Sequence, residues 1–436
     1  MMDEGHSQGL VRNNYNIVKN RLAGKTLLHV GFAYNIHRKN QKSSVWVCVN
    51  KRHGQCGGAV KLINESDNVQ MIKGHKPECQ PDELKNDIKM LIEDLKKELT
   101  TNFGSIQKMY ETKIAKLQSE KYSDKIPIFN NIKKAIYRSR NKALKVKKTQ
   151  FKNPAQVIIP EIFQKHLLFD YNEDGNRIIV FISDIALNEI KNVHHFFCDG
   201  TFDCCPSPFK QIYTIHGEIG NNSDETNIVP IFYTLLINKE KGTYEMMFKK
   251  IKEALPDFKP LKFTLDFEMS TIVAINNEFP TAKIHGCFVH FQNAVYRRAK
   301  SLGLLDHEET TQYVKLCICL AYLPKDEIED GWLAIMENSI PDDKVTKFND
   351  YFVEQWLEPV NMIEKWCCHK EKHRTTNLVD AWNHRLKNHL GTNPSLLSFL
   401  EMVRIDISTY GTAQARLKAN NIPVSRRRAA PERMKK

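Results

Sequence analysis

No uninterrupted apolar run in this 436-residue chain approaches the roughly 18 residues that a membrane span needs, so no membrane partner is expected. The opening residues, Met1-Met2-Asp3-Glu4-Gly5-His6, lack a basic stretch followed by an apolar one, so a secretory leader is not expected either. Acidic residues are in the minority: 51 Asp and Glu stand against 64 Lys and Arg, a formal net charge of +13. That balance suits a polyanion, most simply nucleic acid, or else an ordinary solvated basic surface. Apolar residues are not scarce. At 41% hydrophobic and 26% charged, the composition is that of a globular protein and excludes disorder throughout. The length allows about two to four domains. Cysteine is present in an odd number, 11, which with no leader argues against a disulfide scaffold. The cysteines are then metal ligands or small core residues.

Residues 22–82 read as short strands around 27–34, 45–49, 59–63 and 68–72, with Gly54-Gln55-Cys56-Gly57-Gly58 as turn chemistry. A segment this small has little core, and a structural metal is the usual remedy. Cys48-x7-Cys56 followed by His75-x3-Cys79 supplies four soft N/S ligands, a set that suits tetrahedral Zn²⁺ with no open position. The imidazole is His75 or, alternatively, His53.

Residues 83–150 read as a basic helical linker. Leu84, Ile88, Leu91, Ile92, Leu95 and Leu99 recur at three- and four-residue spacing, as in a connector or a self-association helix. Residues 132–150 carry Lys133, Lys134, Arg138 and Arg140 among eight basic side chains and no acid, a cationic face that would lie along DNA phosphates.

Residues 155–395 read as a mixed α/β domain, with strands near 177–182, 193–198, 212–218, 229–237, 263–266 and 282–287 and a helical insert around 308–360. Asp199 and Asp266 each follow an apolar run at a strand end. Carboxylates so placed are metal ligands for phosphodiester chemistry, or plain cap and turn residues. Hard oxygen donors favour Mg²⁺ or Mn²⁺. Glu268 is an auxiliary ligand or faces away across the strand end, and Cys367-Cys368-His369 with His373 form a soft cluster that reads as a surface accident or local packing rather than a metal site. Residues 420–436 form a basic tail: a nuclear address, a phosphate anchor or a solubilising end.

The first segment resembles the FLYWCH zinc finger. The matching residues are Gly31, Tyr34, Trp46-Val47-Cys48, Cys56-Gly57-Gly58-Ala59-Val60, Gly74-His75 and Cys79-Gln80-Pro81-Asp82. Cys79 stands where the family usually has a second His, and cysteine is a good zinc ligand. The resemblance implies a DNA- or protein-binding module.

Residues near 190–390 resemble the MULE (Mutator-like element) transposase domain. The blocks are Phe197-Cys198-Asp199-Gly200-Thr201-Phe202, Leu265-Asp266-Phe267-Glu268, Gly286-Cys287-Phe288-Val289-His290-Phe291-Gln292 and Arg374 to Asn383. The resemblance implies an RNase-H-like fold with a DDE/D metal site, with Asp199, Asp266 and Asp380 as the catalytic acids and Mg²⁺ or Mn²⁺ ligands. Asp380 stands where the family usually has Glu. Cys287 and His290 form the family's Cys-x2-His motif, which holds DNA or is simply packed. The implied function is Mg²⁺-dependent DNA strand cleavage and transfer in the nucleus. The alternative is a domesticated, non-catalytic DNA-binding regulator.

Overall fold

The computed structural model describes residues 15–20, 24–53, 56–63, 68–103, 105–116, 126–145, 151–173, 175–219 and 227–420. The chain divides into two units at Lys147/Lys148. The basic tail from 421 onward lies outside the described residues.

The first unit contains a six-stranded antiparallel meander in simple sequential order: β1 (Tyr15–Lys19), β2 (Lys25–His29), β3 (Phe32–Lys39), β4 (Ser43–Cys48), β5 (Ala59–Ile63) and β6 (Asn68–Lys73). It starts before residue 22, where the sequence reading put the boundary; Tyr15–Lys19 pairs with β2 from Tyr15↔His29 to Lys19↔Lys25. Val30 and Gly31 both have positive φ, 46° and 76°, and close the β2–β3 hairpin in a two-residue loop. A Cβ on Gly31 would also meet Pro81 Cβ at 2.6 Å. Period-two burial sorts the two faces. Leu27, Tyr34, Trp46, Val60 and Leu62 form one small core with three cysteines, while Val18, Leu28 and Ala33 pack with Met90 on the other.

Met90 belongs to the helix Glu83–Glu98, so this helix is no free connector but covers the sheet. The Asp82 side chain caps it by accepting from Lys85 N–H at 3.0 Å, and Asn86 donates to the Phe32 carbonyl at 3.2 Å. The stretch 83–150 is also not one continuous helix. Helices Ile106–Lys116 and Phe129–Ala143 follow separately, and Leu91, Leu95, Leu99, Ile106, Tyr110 and Ile136 form a core among the three.

The second unit is built on a seven-stranded mixed sheet. Its strands are β7 (Leu167–Glu173), β8 (Asn176–Ile182), β9 (His195–Thr201), β10 (Gln211–Ile219), β11 (Asn227–Leu236), β12 (Lys262–Leu265) and β13 (Lys283–Gly286). Their order is β13-β12-β9-β10-β11-β8-β7. β9 to β7 pair antiparallel, and β9, β12 and β13 run parallel. One face of β9 and β10 offers Phe196, Cys198, Tyr213 and Ile215. These pack with Tyr244, Met247, Phe248, Ile251, Ile272 and Ile275 of helices Lys241–Ala254 and Met269–Glu278. The opposite face carries Asp199, Thr214 and Tyr233 in one lateral row. There Trp382 of the helix Asn377–Leu390 meets His216 and Tyr233, at ring separations of 5.4 and 5.8 Å.

The helical insert is present as Glu308–Cys319, Ile328–Glu337, Asp343–Phe352 and Met362–Trp366. It shares an aromatic-rich core with Phe291 and Val295 of the helix Phe288–Ser301. The domain does not stop at 395. In the helix Leu396–Asn420, buried Asp406 accepts from Tyr233 Oη at 2.8 Å and Trp382 Nε1 at 2.9 Å, and it pairs with Arg385. No helix among the described residues is long and apolar enough to cross a membrane.

Candidate metal centres

Cys48, Cys56, His75 and Cys79 come together with all four ligand atoms within 4.8 Å of one another. Cys48 closes β4, and its N–H donates to the Gly58 carbonyl at 2.8 Å, so the two cysteines flanking the β4–β5 loop converge. Tetrahedral zinc with bonds of about 2.3 Å to sulfur and 2.0–2.1 Å to nitrogen requires S···S edges of about 3.8 Å and S···N edges of about 3.6 Å. Cys48 and Cys79 sulfurs lie 3.7 Å apart, and His75 Nδ1 lies 3.2 Å from Cys56 and 3.5 Å from Cys79. The ligating nitrogen is therefore Nδ1. Nε2 is left to pair with Tyr34 Oη at 2.8 Å, the outer hydrogen bond that fixes a ligating imidazole. Phe32 stacks on the ring at 3.7 Å. N–H groups face the sulfurs, among them Asn50 Nδ2 to Cys79 at 3.4 Å and Gly58 N–H to Cys56 at 3.4 Å.

Against the effect of burial, hydrogen bonds from the Gly58 and Lys76 backbone and from the neighbouring thiols hold Cys56 below its usual value. Burial, with Cys79 beside it, pushes Cys48 up to about 12. Burial holds His75 below its usual value, in the neutral form a metal needs. The donor set and its edge lengths fit a closed structural zinc site.

Gly58 makes room for this centre, because a Cβ there would stand 2.7 Å from His75 Cε1 and Nδ1. Gly58→Ala is expected to weaken zinc binding by roughly 10–100-fold, as loss of a ligand's supporting contacts does. Competition against a chromophoric chelator measures it, and unchanged affinity would contradict this packing.

The second unit gathers the three predicted acids. Thr264 pairs with Phe197, so Asp266, just past the last residue of β12, follows the strand that runs parallel to the one carrying Asp199. Asp199 lies within β9, one residue short of Gly200, and the strand runs on to Thr201. Asp380 comes from the first turn of Asn377–Leu390, its N–H on the Thr376 carbonyl at 3.0 Å. Burial, then Asp380 and Asp266, push Asp199 up to about 7, and Asp380 is raised by burial and by Asp266. The three carboxylates thus feel one another. Among the described residues, however, they do not close to within 4.8 Å as a set.

Sequence reasoning missed Asn383. It sits one turn beyond Asp380, and its Nδ2 donates to Asp199 Oδ2. The Asp380-x2-Asn383 spacing was the available signal, since residues three apart share a helix face. Glu268 accepts from Tyr244 Oη at 3.2 and 3.3 Å. Tyr244 packs on the face opposite Asp199, so Glu268 points across the strand end.

The assignment of Cys287 to DNA is corrected, because its side chain has no exposure. Its sulfur accepts Thr376 N–H at 3.4 Å, and Phe288 N–H bonds the Arg374 carbonyl at 2.8 Å. These contacts tie the end of β13 to the start of the Asp380 helix. Contact with the Cys287 sulfur pushes His290 up to about 9 against the effect of burial, with Asp266 and Asp380 adding to the pull. His290 is half-buried and belongs electrostatically to the acid site.

Lys133, Lys134 and Arg138 are exposed on Phe129–Ala143. Arg140 is not: it is buried at 3% exposure with its guanidinium 4.8 Å from the Tyr137 ring centre, so it is removed from that row.

Residues 17–76 match the model of the FLYWCH zinc finger domain, and residues 196–294 match that of the MULE transposase domain. The second match holds Asp199, Asp266, Cys287 and His290 and ends ahead of Asp380. No curated protein matches the chain. By these two matches the chain carries a FLYWCH zinc finger domain followed by a MULE transposase domain, the pair to which its motifs point.

Proposed function

We propose that this is a DNA transposase-like protein that cleaves and transfers DNA strands at Asp199, Asp266 and Asp380. In this reading the zinc finger and the exposed row Lys133, Lys134 and Arg138 hold the DNA, and the second unit has an RNase-H-like fold. The observation that carries it is the convergence of three sequence-distant carboxylates near the C-terminal ends of the parallel strands β9 and β12, near enough for Asp266 to raise the pKa of the other two. Asp199 lies in β9, Asp266 follows the neighbouring parallel strand β12, and Asp380 is delivered by a helix pinned to Cys287.

The donor set fits hard divalent cations, and the burial and neighbouring acids that raise Asp199 are what such an ion offsets. When bound, Mg²⁺ or Mn²⁺ activates a water or hydroxyl and stabilises the leaving oxygen in phosphodiester displacement. The chain's own residues set the geometry. Asn383 orients one Asp199 oxygen, and Gly200 N–H holds the other at 2.8 Å. His290 places positive charge beside Asp266 and Asp380.

The test is nicking of duplex DNA carrying candidate element ends, with Mg²⁺ and with EDTA. Metal-dependent nicking is expected. Its absence from protein with both units folded would leave the non-catalytic regulator, which the short Asp380 side chain and the incomplete approach of the three acids favour. Asp380→Glu separates the two further. Unchanged nicking marks a working three-Asp site, whereas a gain of roughly tenfold or more, about 1.4 kcal/mol of barrier, marks decay at that position.

A further inference from the structure

We propose that His195, Glu218 and His373 form a second zinc site, distinct from the finger and from the three acids. His195 opens β9, Glu218 lies near the end of β10, and His373 lies in the segment leading to the Asp380 helix. Their ligand atoms all fall within 4.8 Å of one another. His373 Nε2 is 3.0 Å from Glu218 Oε1, and His195 Nδ1 is 3.7 Å from Glu218 Oε2. The two rings thus reach the two oxygens of one carboxylate, each at a separation close to the edge of about 3.3 Å that a tetrahedron with 2.0–2.1 Å bonds requires.

The surroundings suit ligands. His195 Nε2 pairs with Thr264 Oγ1 at 2.8 Å, which leaves Nδ1 facing Glu218. Phe197 stacks on His195 at 4.3 Å and meets His373 edge-on at 5.3 Å, an apolar wall that holds both rings. Two imidazoles and one carboxylate make a borderline donor set that takes zinc in preference to Mg²⁺, with a fourth position open. The competing cation is Lys372, whose Nζ lies 2.6 Å from Glu218 Oε1. Its side chain is half exposed and flexible, so an arriving ion displaces it into solvent. A bound zinc clips the segment before Asp380 to the sheet, adding to the tether at Cys287.

Metal content of the full-length protein tests this, with zinc supplied, excess Mg²⁺ present to occupy the acids, and free metal removed. Two zinc ions per chain are expected in the wild type and one in His373→Ala and in the near-isosteric Glu218→Gln. With Co²⁺ as probe, the thiolate charge-transfer band of the finger is expected to persist in both variants, while the weaker bands of a nitrogen–oxygen site disappear. A single zinc in the wild type, or a second ion retained by both variants, would overturn the proposal. So would a cobalt titration of the wild type that ends with the thiolate band.

Discussion

Asp199→Asn is expected to abolish metal-dependent nicking while making the metal-free protein more stable. The loss of activity follows from removing a charged donor at the centre of the site. Groups one shell further out are already worth roughly 10–100-fold in metal sites, so a loss beyond about a thousandfold is expected for a ligand. The gain in stability follows from linkage. Burial and two neighbouring acids lift Asp199 from 3.8 to about 7 in the folded chain. Between those values the folded state holds a proton that the unfolded state has released. Stability from this group therefore falls as pH rises from about 4 to about 7, and the deficit is complete above it. One pH unit is worth about 1.4 kcal/mol, so the full span sets a ceiling of about 4 kcal/mol. Asn keeps an acceptor for Asn383 but gives up one of the two carboxylate oxygens, so a net gain of about 1–3 kcal/mol is expected at pH 8. Chemical denaturation of both proteins in EDTA, from pH 4 to 8, measures it. A wild-type-minus-variant difference that does not change with pH would refute the charge argument, whatever happens to nicking.

What the sequence made legible was what it encodes locally. Cys48, Cys56, His75 and Cys79 were readable because the finger's ligands lie within one short segment and their chemistry is scarce. Asp199 and Asp266 were readable because each ends an apolar run. The strands Tyr15–Lys19 and Leu167–Glu173 were not, since both are edge strands with polar residues on the open side and weak alternation. Arg140 misled because a run of positive charge says nothing about which face is covered. Ile136, one turn earlier, is buried on the same side. The group His195, Glu218 and His373 had no sequence signal at all, because His373 and Glu218 lie 155 positions apart and only the sheet and the returning segment bring them together. For the same reason the helix carrying Asp406 lay beyond the expected boundary of 395: its partners Tyr233 and Trp382 are distant in sequence, and the buried carboxylate it supplies is satisfied only in the fold.

Removing zinc is expected to unfold the finger and leave the second unit intact. Without the ion, the ligand cluster is three buried thiols and an imidazole with no compensating charge, inside a core that otherwise holds little beyond Leu27, Tyr34, Trp46, Val60 and Leu62. Structural zinc contributes roughly 10–16 kcal/mol of apparent binding energy in small fingers, comparable to the whole stability of a typical domain. The metal-free sheet therefore has no means of making up the loss. Cys56→Ser is expected to weaken the site in the same direction, since it removes the sulfur that sits 3.2 Å from His75 Nδ1. The direction with pH is fixed too. Protons compete for the thiolates and for Nδ1, so acid releases the ion, and the finger is lost at a higher pH in Cys56→Ser than in the wild type. Amide hydrogen exchange resolves the two units in one experiment. Protection in Ser43–Cys48 and Ala59–Ile63 is expected to collapse in EDTA, while His195–Thr201 and Gln211–Ile219 keep theirs. DNA affinity is expected to fall with the finger if the finger grips the DNA, and to survive if Lys133, Lys134 and Arg138 suffice. Protection that persists in β4 and β5 without metal would show that the small core folds unaided, and the case for structural zinc would fail.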